Sequence, residues 1–377
     1  MNMEFVKRWI FSVIFLFFTS LAFSQWLDIN SISIQSVITE EGGPVIEITY
    51  TLNDESITQD NPAYVFIRFS RDNGKTWRLI DPAFLSEEGI GIIESGGKKK
   101  ILFWGSGEMA VKNPLFRIRG IRMAEIPPGE FIMRSFPAGG KDPSISERPS
   151  NILPGFFMSI NETTISMYVD FLNEIGKDGS GWNERMVNEK RCGILQSGDE
   201  GNFQYTVIPG RENYPVTYVS WYDARNFLKW CGLNLPTETM FEKAFVGGIY
   251  LDGDEKKSVS NINPKRKYPW GDEVPYQAGI YRCNYAGDED GYSNLAPVGT
   301  FSKFSSPYGI NDLAGNVSEW TLDWYSTTYH IGLDGFRMIR GGSWLAEPFA
   351  CDAVSGATQF PIKESSIMGF RGVYLIE

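Results

Sequence analysis

Gly309-Ile310-Asn311-Asp312-Leu313-Ala314-Gly315-Asn316-Val317-Ser318-Glu319-Trp320 is the stretch on which the fold turns, and Arg340-Gly341-Gly342-Ser343-Trp344-Leu345-Ala346 answers it downstream. Its glycines permit backbone angles closed to other residues, its polar residues set oxygens at short spacing, and its aromatics call for burial. Such a composition predicts a tightly wound loop in a domain core rather than a regular helix or strand.

Upstream of it lie three helix signals. Tyr168, Phe171, Leu172 and Ile175 fall at i, i+3, i+4 and i+7, with Gly176 placed to stop the helix. Ser220 and Asp223 cap a second, whose inward face is Ala224, Phe227, Leu228 and Cys231 and whose end is Gly232. Thr237 caps a third, with Phe241, Ala244 and Phe245 inward and Gly247-Gly248 after it. Beyond it only short strands and loops are expected. Residues 125–377 therefore make an α+β domain whose function lies in its loops.

Residues 26–122 are β-structure. Ile46, Ile48, Tyr50 and Leu52 alternate with Glu47, Thr49 and Thr51, and Val65, Ile67 and Phe69 repeat the pattern of a strand with one buried face. Asp72-Asn73-Gly74-Lys75 is a hairpin turn, since Asn-Gly favours positive backbone angles. Strands at this spacing without helices predict an N-terminal all-β immunoglobulin-like sandwich of roughly 100 residues. Ser70 to Trp77 also resembles the Asp-box of sialidases, which recurs there blade by blade; here it occurs once, as a hairpin staple.

Composition and termini narrow the function. The chain has 377 residues, 42% hydrophobic and 14% aromatic, enough for a large core in two domains. Its net charge of -11 excludes general nucleic-acid binding, and the single basic run, Lys98-Lys99-Lys100, is solvated surface. Lys7-Arg8, the apolar run Trp9 to Phe18 and Ala22-Phe23-Ser24 form a signal peptide over 1–24, too short to span a bilayer. The mature chain is then exported to the periplasm or cell surface without a transmembrane segment. There Cys192, Cys231, Cys283 and Cys351 allow up to two disulfides, in three pairings that spacing does not rank.

Several phrases occur together, in order, between 125 and 377: Ile126-Pro127-Pro128-Gly129-Glu130-Phe131, Glu162-Thr163-Thr164, Pro215-Val216-Thr217-Tyr218-Val219-Ser220-Trp221, Tyr268-Pro269-Trp270-Gly271-Asp272, the quoted pair of stretches, and Gly369-Phe370-Arg371. With them the region resembles the formylglycine-generating enzyme (sulfatase-modifying factor) family, which implies a C-type-lectin-like fold. In the members that oxidise sulfatase cysteines, two cysteines five positions apart hold copper, as a soft ion prefers. Here the first of those positions is Ala346, and only Cys351 remains. Asp352 to Gly356 replaces the run that bears an arginine, and Ser318 replaces a tryptophan. Ser343 is retained, but the pocket of Ser343, Cys351, Ala346 and Ser318 is vestigial, and copper is not expected. The single histidine, His330, excludes the iron-dependent branch and a Ser-His-Asp triad.

The resemblance further implies structural calcium. One site maps to the side chains of Asp312 and Glu319 with the carbonyls of Gly315 and Val317, and a second to Asn284, Asp290 and the carbonyls of Tyr285 and Tyr292. Such mixed oxygen donors suit calcium, although the same groups also satisfy loop backbone. The function expected is that of an exported pseudoenzyme of the cell envelope, a binding or assembly module for a protein or glycan, related to gliding or secretion. The alternative is a divergent oxidase acting on protein cysteine through Cys351.

Overall fold

The computed structural model describes residues 26–38, 44–81, 85, 89–103, 114–135, 146–149, 153–325 and 335–376. The signal peptide and His330 fall outside the described residues.

Seven strands lead: β1 (Ile29–Ile38), β2 (Pro44–Leu52), β3 (Ala63–Ser70), β4 (Arg78–Leu79), β5 (Gly91–Ile93), β6 (Gly97–Phe103) and β7 (Leu115–Ile126). Next come the hairpin β8 (Ile132–Ser135) and β9 (Ser146–Pro149), β10 (Phe156–Ser159), helix α1 (Ile165–Ile175), and the hairpin β11 (Ile194–Ser197) and β12 (Gln204–Val207). Helices α2 (Trp221–Cys231), α3 (Glu238–Val246) and the short α4 (Gly253–Lys256) precede the pair β13 (Tyr276–Gln277) and β14 (Ile280–Tyr281). The chain closes with β15 (Ser318–Trp324), β16 (Arg337–Arg340), β17 (Gly356–Gln359), β18 (Met368–Gly369) and β19 (Val373–Leu375).

Strands β1, β2 and β6 form one antiparallel sheet. Its inward residues Ile48, Tyr50 and Ile101 share a core with Val65, Ile67 and Phe69 of β3. Lys98 and Lys100 lie exposed on β6. The hairpin staple is as expected: Asp72 Oδ1 accepts from Ser70 Oγ and the Thr76 amide, both at 2.8 Å, while Asn73 and Gly74 take φ of 59° and 84°.

Two features depart from the sequence reading. First, β3 is buried on both faces along all eight residues. Its alternate side chains Tyr64 and Phe66 belong to the core of the second domain, where Phe66 meets Trp230 edge-on at 5.5 Å. The cause is β7, which runs unbroken through the boundary expected between 122 and 125 and carries β10 and β19 beside it, in the order β19-β10-β7-β3-β4. A single sheet serves both parts, and helices α1 and α2 cover its second face. Second, the end of the Gly309–Trp320 stretch is strand, not loop. Glu319 and Trp320 must be buried on opposite sides, and β15 achieves this between β16, antiparallel, and β18, parallel.

The helices form where the caps place them. Thr164 and Thr237 each accept a first-turn amide, Ser220 and Asp223 form a reciprocal capping box, and Gly232 ends α2 at φ 81°. Ile175, at the end of α1, is exposed instead of buried.

A buried polar cluster locks the shared sheet to the helices. Arg68 pairs with Glu174 and donates to the carbonyls of Trp230 at 2.7 Å and Trp77 at 2.8 Å. Trp230 Nε1 donates to Glu174 at 2.8 Å, and the half-exposed Arg117 adds a 3.0 Å contact. Removing one partner strands the other charge. Arg68→Met is expected to cost about 3–5 kcal/mol in urea unfolding, and the double variant Arg68→Met/Glu174→Met to cost less than that single change.

Candidate functional site

The Gly309–Val317 loop is wound as its composition predicts. Asp312 and Asn316 sit at φ 55° and 57°, values tolerated by short polar side chains, and Gly315 at 80°. A Cβ on Gly315 would lie 2.2 Å from the Asn284 carbonyl oxygen, so glycine is required there. Asn316 is the loop's internal tie. Its amide donates to the Asn284 carbonyl at 2.8 Å, its Nδ2 to Glu162 at 2.9 Å, and its Oδ1 accepts from the Ala296 amide at 3.0 Å. Trp320 donates through Nε1 to the Val219 carbonyl at 3.1 Å.

Under this loop lies a buried ionic centre. Arg371, fully buried, donates through Nε to both oxygens of Glu319 at 2.9 and 2.7 Å and through Nη2 at 2.7 Å. Its remaining donors reach the carbonyls of Ser159, Ile160 and Asn311. Glu319, one of the side chains assigned to the first calcium site, pairs with this guanidinium, because Gly369-Phe370-Arg371 returns beside β15. Asp312 does lie in the loop as expected, accepting from the Gly299 amide at 2.5 Å. Glu162 is the participant that sequence reasoning left out as a site residue. It is buried, and its Oε1 accepts no hydrogen bond. The signal for both was present, since the Glu162-Thr163-Thr164 and Gly369-Phe370-Arg371 phrases mark the family. Burial, then the neighbouring charges of Asp312 and Glu319, pushes Glu162 well above the carboxylate range. Burial raises Asp312 to about 6.

Two oxygens of the second expected set lack partners. Asn284 Oδ1 and Asp290 Oδ2 are buried and accept no hydrogen bond, while Asp290 Oδ1 takes the Tyr292 amide at 2.9 Å. Unpartnered buried oxygens of this kind fit a hard cation. Among the described residues, no three His, Cys, Asp or Glu side chains group as a metal site, so any ion here depends on amide and backbone oxygens.

The pocket of Ser318, Ser343, Ala346 and Cys351 is closed. Ser343 and Cys351 are 2% and 0% exposed. Ser343 Oγ accepts from the Leu345 amide at 3.4 Å, and Ser318 Oγ donates to the Gly342 carbonyl at 3.0 Å. Asp352 folds back on the amides of Val354 and Ser355. The family's copper pair does not fit these residues, because position 346 carries a methyl group. All four cysteines are buried free thiols, so neither disulfide forms. Cys283, which sequence reasoning treated only as a disulfide candidate, touches Cys351 through its thiol; that contact, then burial, holds it well above the usual thiol range.

The carboxylates predict a pH dependence. Below 3.8, the ordinary value for Asp312, the group is protonated whether the chain is folded or unfolded; between 3.8 and about 6 only the unfolded chain ionises it. Stability therefore falls as pH rises through this window and stays lost above it, with Glu162 adding a slope of the same sign. In chelator-treated protein, Asp312→Asn should flatten the melting temperature between pH 4 and 6.

The sulfatase-modifying factor enzyme 1-like domain matches residues 112–376. The formylglycine-generating enzyme of Streptomyces coelicolor is 34% identical over 185 residues, covering 44% of this chain and 54% of that protein, so the chain spans about half the length of that relative. The bovine inactive C-alpha-formylglycine-generating enzyme 2 is 28% identical over 275 residues, 66% of this chain and 83% of the relative. Among solved structures, PvdO from Pseudomonas aeruginosa superposes with a TM-score of 0.45 at 20% identity, over 68% of this chain and 94% of that one. From residue 112 onward, the chain belongs to the sulfatase-modifying factor enzyme 1-like family.

Proposed function

We propose that the protein is an exported, non-catalytic member of this family that acts as a binding or assembly module in the bacterial envelope. One observation carries the reading: at the oxidase position Ala346 stands in place of a thiol, and Cys351 is packed away from solvent. A cysteine substrate has neither the two-thiolate metal site nor an approach to it. The bovine relative described as inactive supports the reading. In this reading the N-terminal sheets form the immunoglobulin-like sandwich, fused to the second domain through β7. No helix among the described residues is long and apolar enough to cross a membrane.

The surface offered to a partner is an aromatic face across β15–β17. Trp324, Phe360 and Ile362 are more than half exposed, with Tyr222 close to that. Arg337 lies flat between Trp221 and Trp324, 3.8 and 3.3 Å from their ring centroids, and Phe336 meets Phe360 at 4.0 Å. A contiguous apolar surface of this kind marks an interaction site for a protein or glycan.

Calcium belongs to the same proposal as a structural ion. The orphaned oxygens of Asn284 and Asp290 make the second site the stronger, with the carbonyls of Tyr285 and Tyr292 completing it. At the first, Asp312 and the carbonyls of Gly315 and Val317 act with the Glu319 charge already met, so binding there is weaker.

Mass spectrometry of a sulfatase-type cysteine peptide, incubated with the mature protein, Cu(I) and oxygen, is expected to show no aldehyde; its formation would overturn the reading. Trp324→Ser with Phe360→Ser is expected to abolish binding to envelope extracts while leaving the melting temperature unchanged. Calcium should raise the melting temperature of chelator-treated protein by several degrees, and Asp290→Asn should remove most of that gain. A null calcium shift in the unsubstituted protein would eliminate the structural-ion role.

A further inference from the structure

The sheet β1-β2-β6 has two edges, and they are built differently. Strand β6 carries Lys98-Lys99-Lys100, and its far end is bridged by Leu85 at Phe103. Lysines and a covering segment keep a further strand away from such an edge. Strand β1 has neither, and its ten residues hold no charge and no proline. Just before it, Trp26 bridges Ile121 and the Leu27 amide donates to the Gly120 carbonyl of β7 at 2.9 Å. A bulge between Asn30 and Ser33, with Ser31 at φ 51°, then interrupts the regular ladder. From Ser33 to Ile38 the strand pairs residue for residue with β2 and, among the described residues, with no other strand.

The side chains of this edge divide in the same way. Its outward row is polar and satisfied: Ser33 Oγ meets Thr49 Oγ1 at 2.7 Å, and Gln35 donates to Glu47 at 2.7 Å. The inward row is unfinished. Ile34 lies opposite Ile48, and Ile48 opposite Ile101; those two are fully buried, yet Ile34 is 43% exposed, as is Ile32 in the bulge. The first core therefore ends at β1 with isoleucines in the open.

We propose that β1 is a dimer edge, on which Ser33–Ile38 pairs antiparallel with the same segment of a second copy, so that two three-stranded sheets become one. A second copy fits because a two-fold axis perpendicular to the sheet sets inward row against inward row, and Ile34 meets its own apolar kind. The uncharged strand also brings no like charges together, although each chain carries a net charge of -11. Assembly closes at two copies, since the pairing uses one edge of each sheet and the lysines of β6 guard the other.

The test is sedimentation equilibrium of the mature protein across a concentration series. A mass rising to twice that of one chain is expected. Ile34→Lys should return the single-chain mass without lowering the melting temperature, because the residue is half-exposed in one copy. Trp324→Ser with Phe360→Ser should dimerise as the unsubstituted protein does, so loss of the envelope partner and loss of the dimer are read separately. Hydrogen exchange on the unsubstituted protein locates the contact without any variant: amides of Ser33–Ile38 should exchange more slowly at high concentration than at low, and those of β6 should not change. A single-chain mass at every concentration, a dimer that survives Ile34→Lys, or β1 amides insensitive to concentration overturns the proposal. So does capture of a different protein along β1 by a chain that stays monomeric.

Discussion

The guanidinium of Arg371 is the point to which the second domain is tied. With no solvent contact, it satisfies its donors on Glu319 and on carbonyls from β10, the following turn and the Gly309–Val317 loop. Two regions distant in sequence, 159–160 and 311–319, thus share one cation, and an isolated buried charge of this kind is tolerated only when every donor is met. Glu162 and Asp312 crowd the same centre, giving three carboxylates to one guanidinium, and burial pushes both above the usual carboxylate range. Around that centre the loop takes its left-handed turns, and Asn316 closes them. None of these tying groups is one of the pocket residues Ser318, Ser343, Ala346 and Cys351.

Much of this was legible in the sequence. Helix limits followed from Thr164, Ser220 with Asp223, and Gly232, which act through neighbouring amides, and the hairpin at Asp72 followed from Asn73-Gly74 for the same reason. Alternation on β2 and β3 located the first core. What the alternation of Val65, Ile67 and Phe69 did not show is that Tyr64 and Phe66 are also covered, since aromatic residues on the other face read equally well as an exposed or a buried surface. The partner of that face, α1 and α2, lies about a hundred residues further on, beyond any local pattern.

The site was legible in its members and not in their pairings. Asp312, Asn284 and Asp290 lie in loops. That Glu319 would be held by Arg371, and that Cys283 would meet Cys351, depends on chain crossings between positions some fifty to seventy residues apart. Spacing rules describe neighbours on one element, so a partner supplied from a separate loop leaves no periodic trace.

The unbroken strand β7 has a consequence for how the molecule can be divided. Cutting the chain between its two parts would remove β3 from beside β7, uncover the apolar face that Tyr64 and Phe66 fill, and leave Glu174 without Arg68. The two parts are accordingly expected to melt as one cooperative unit, so that a fragment lacking the first hundred residues would report on the damage to the sheet rather than on the role of the missing half.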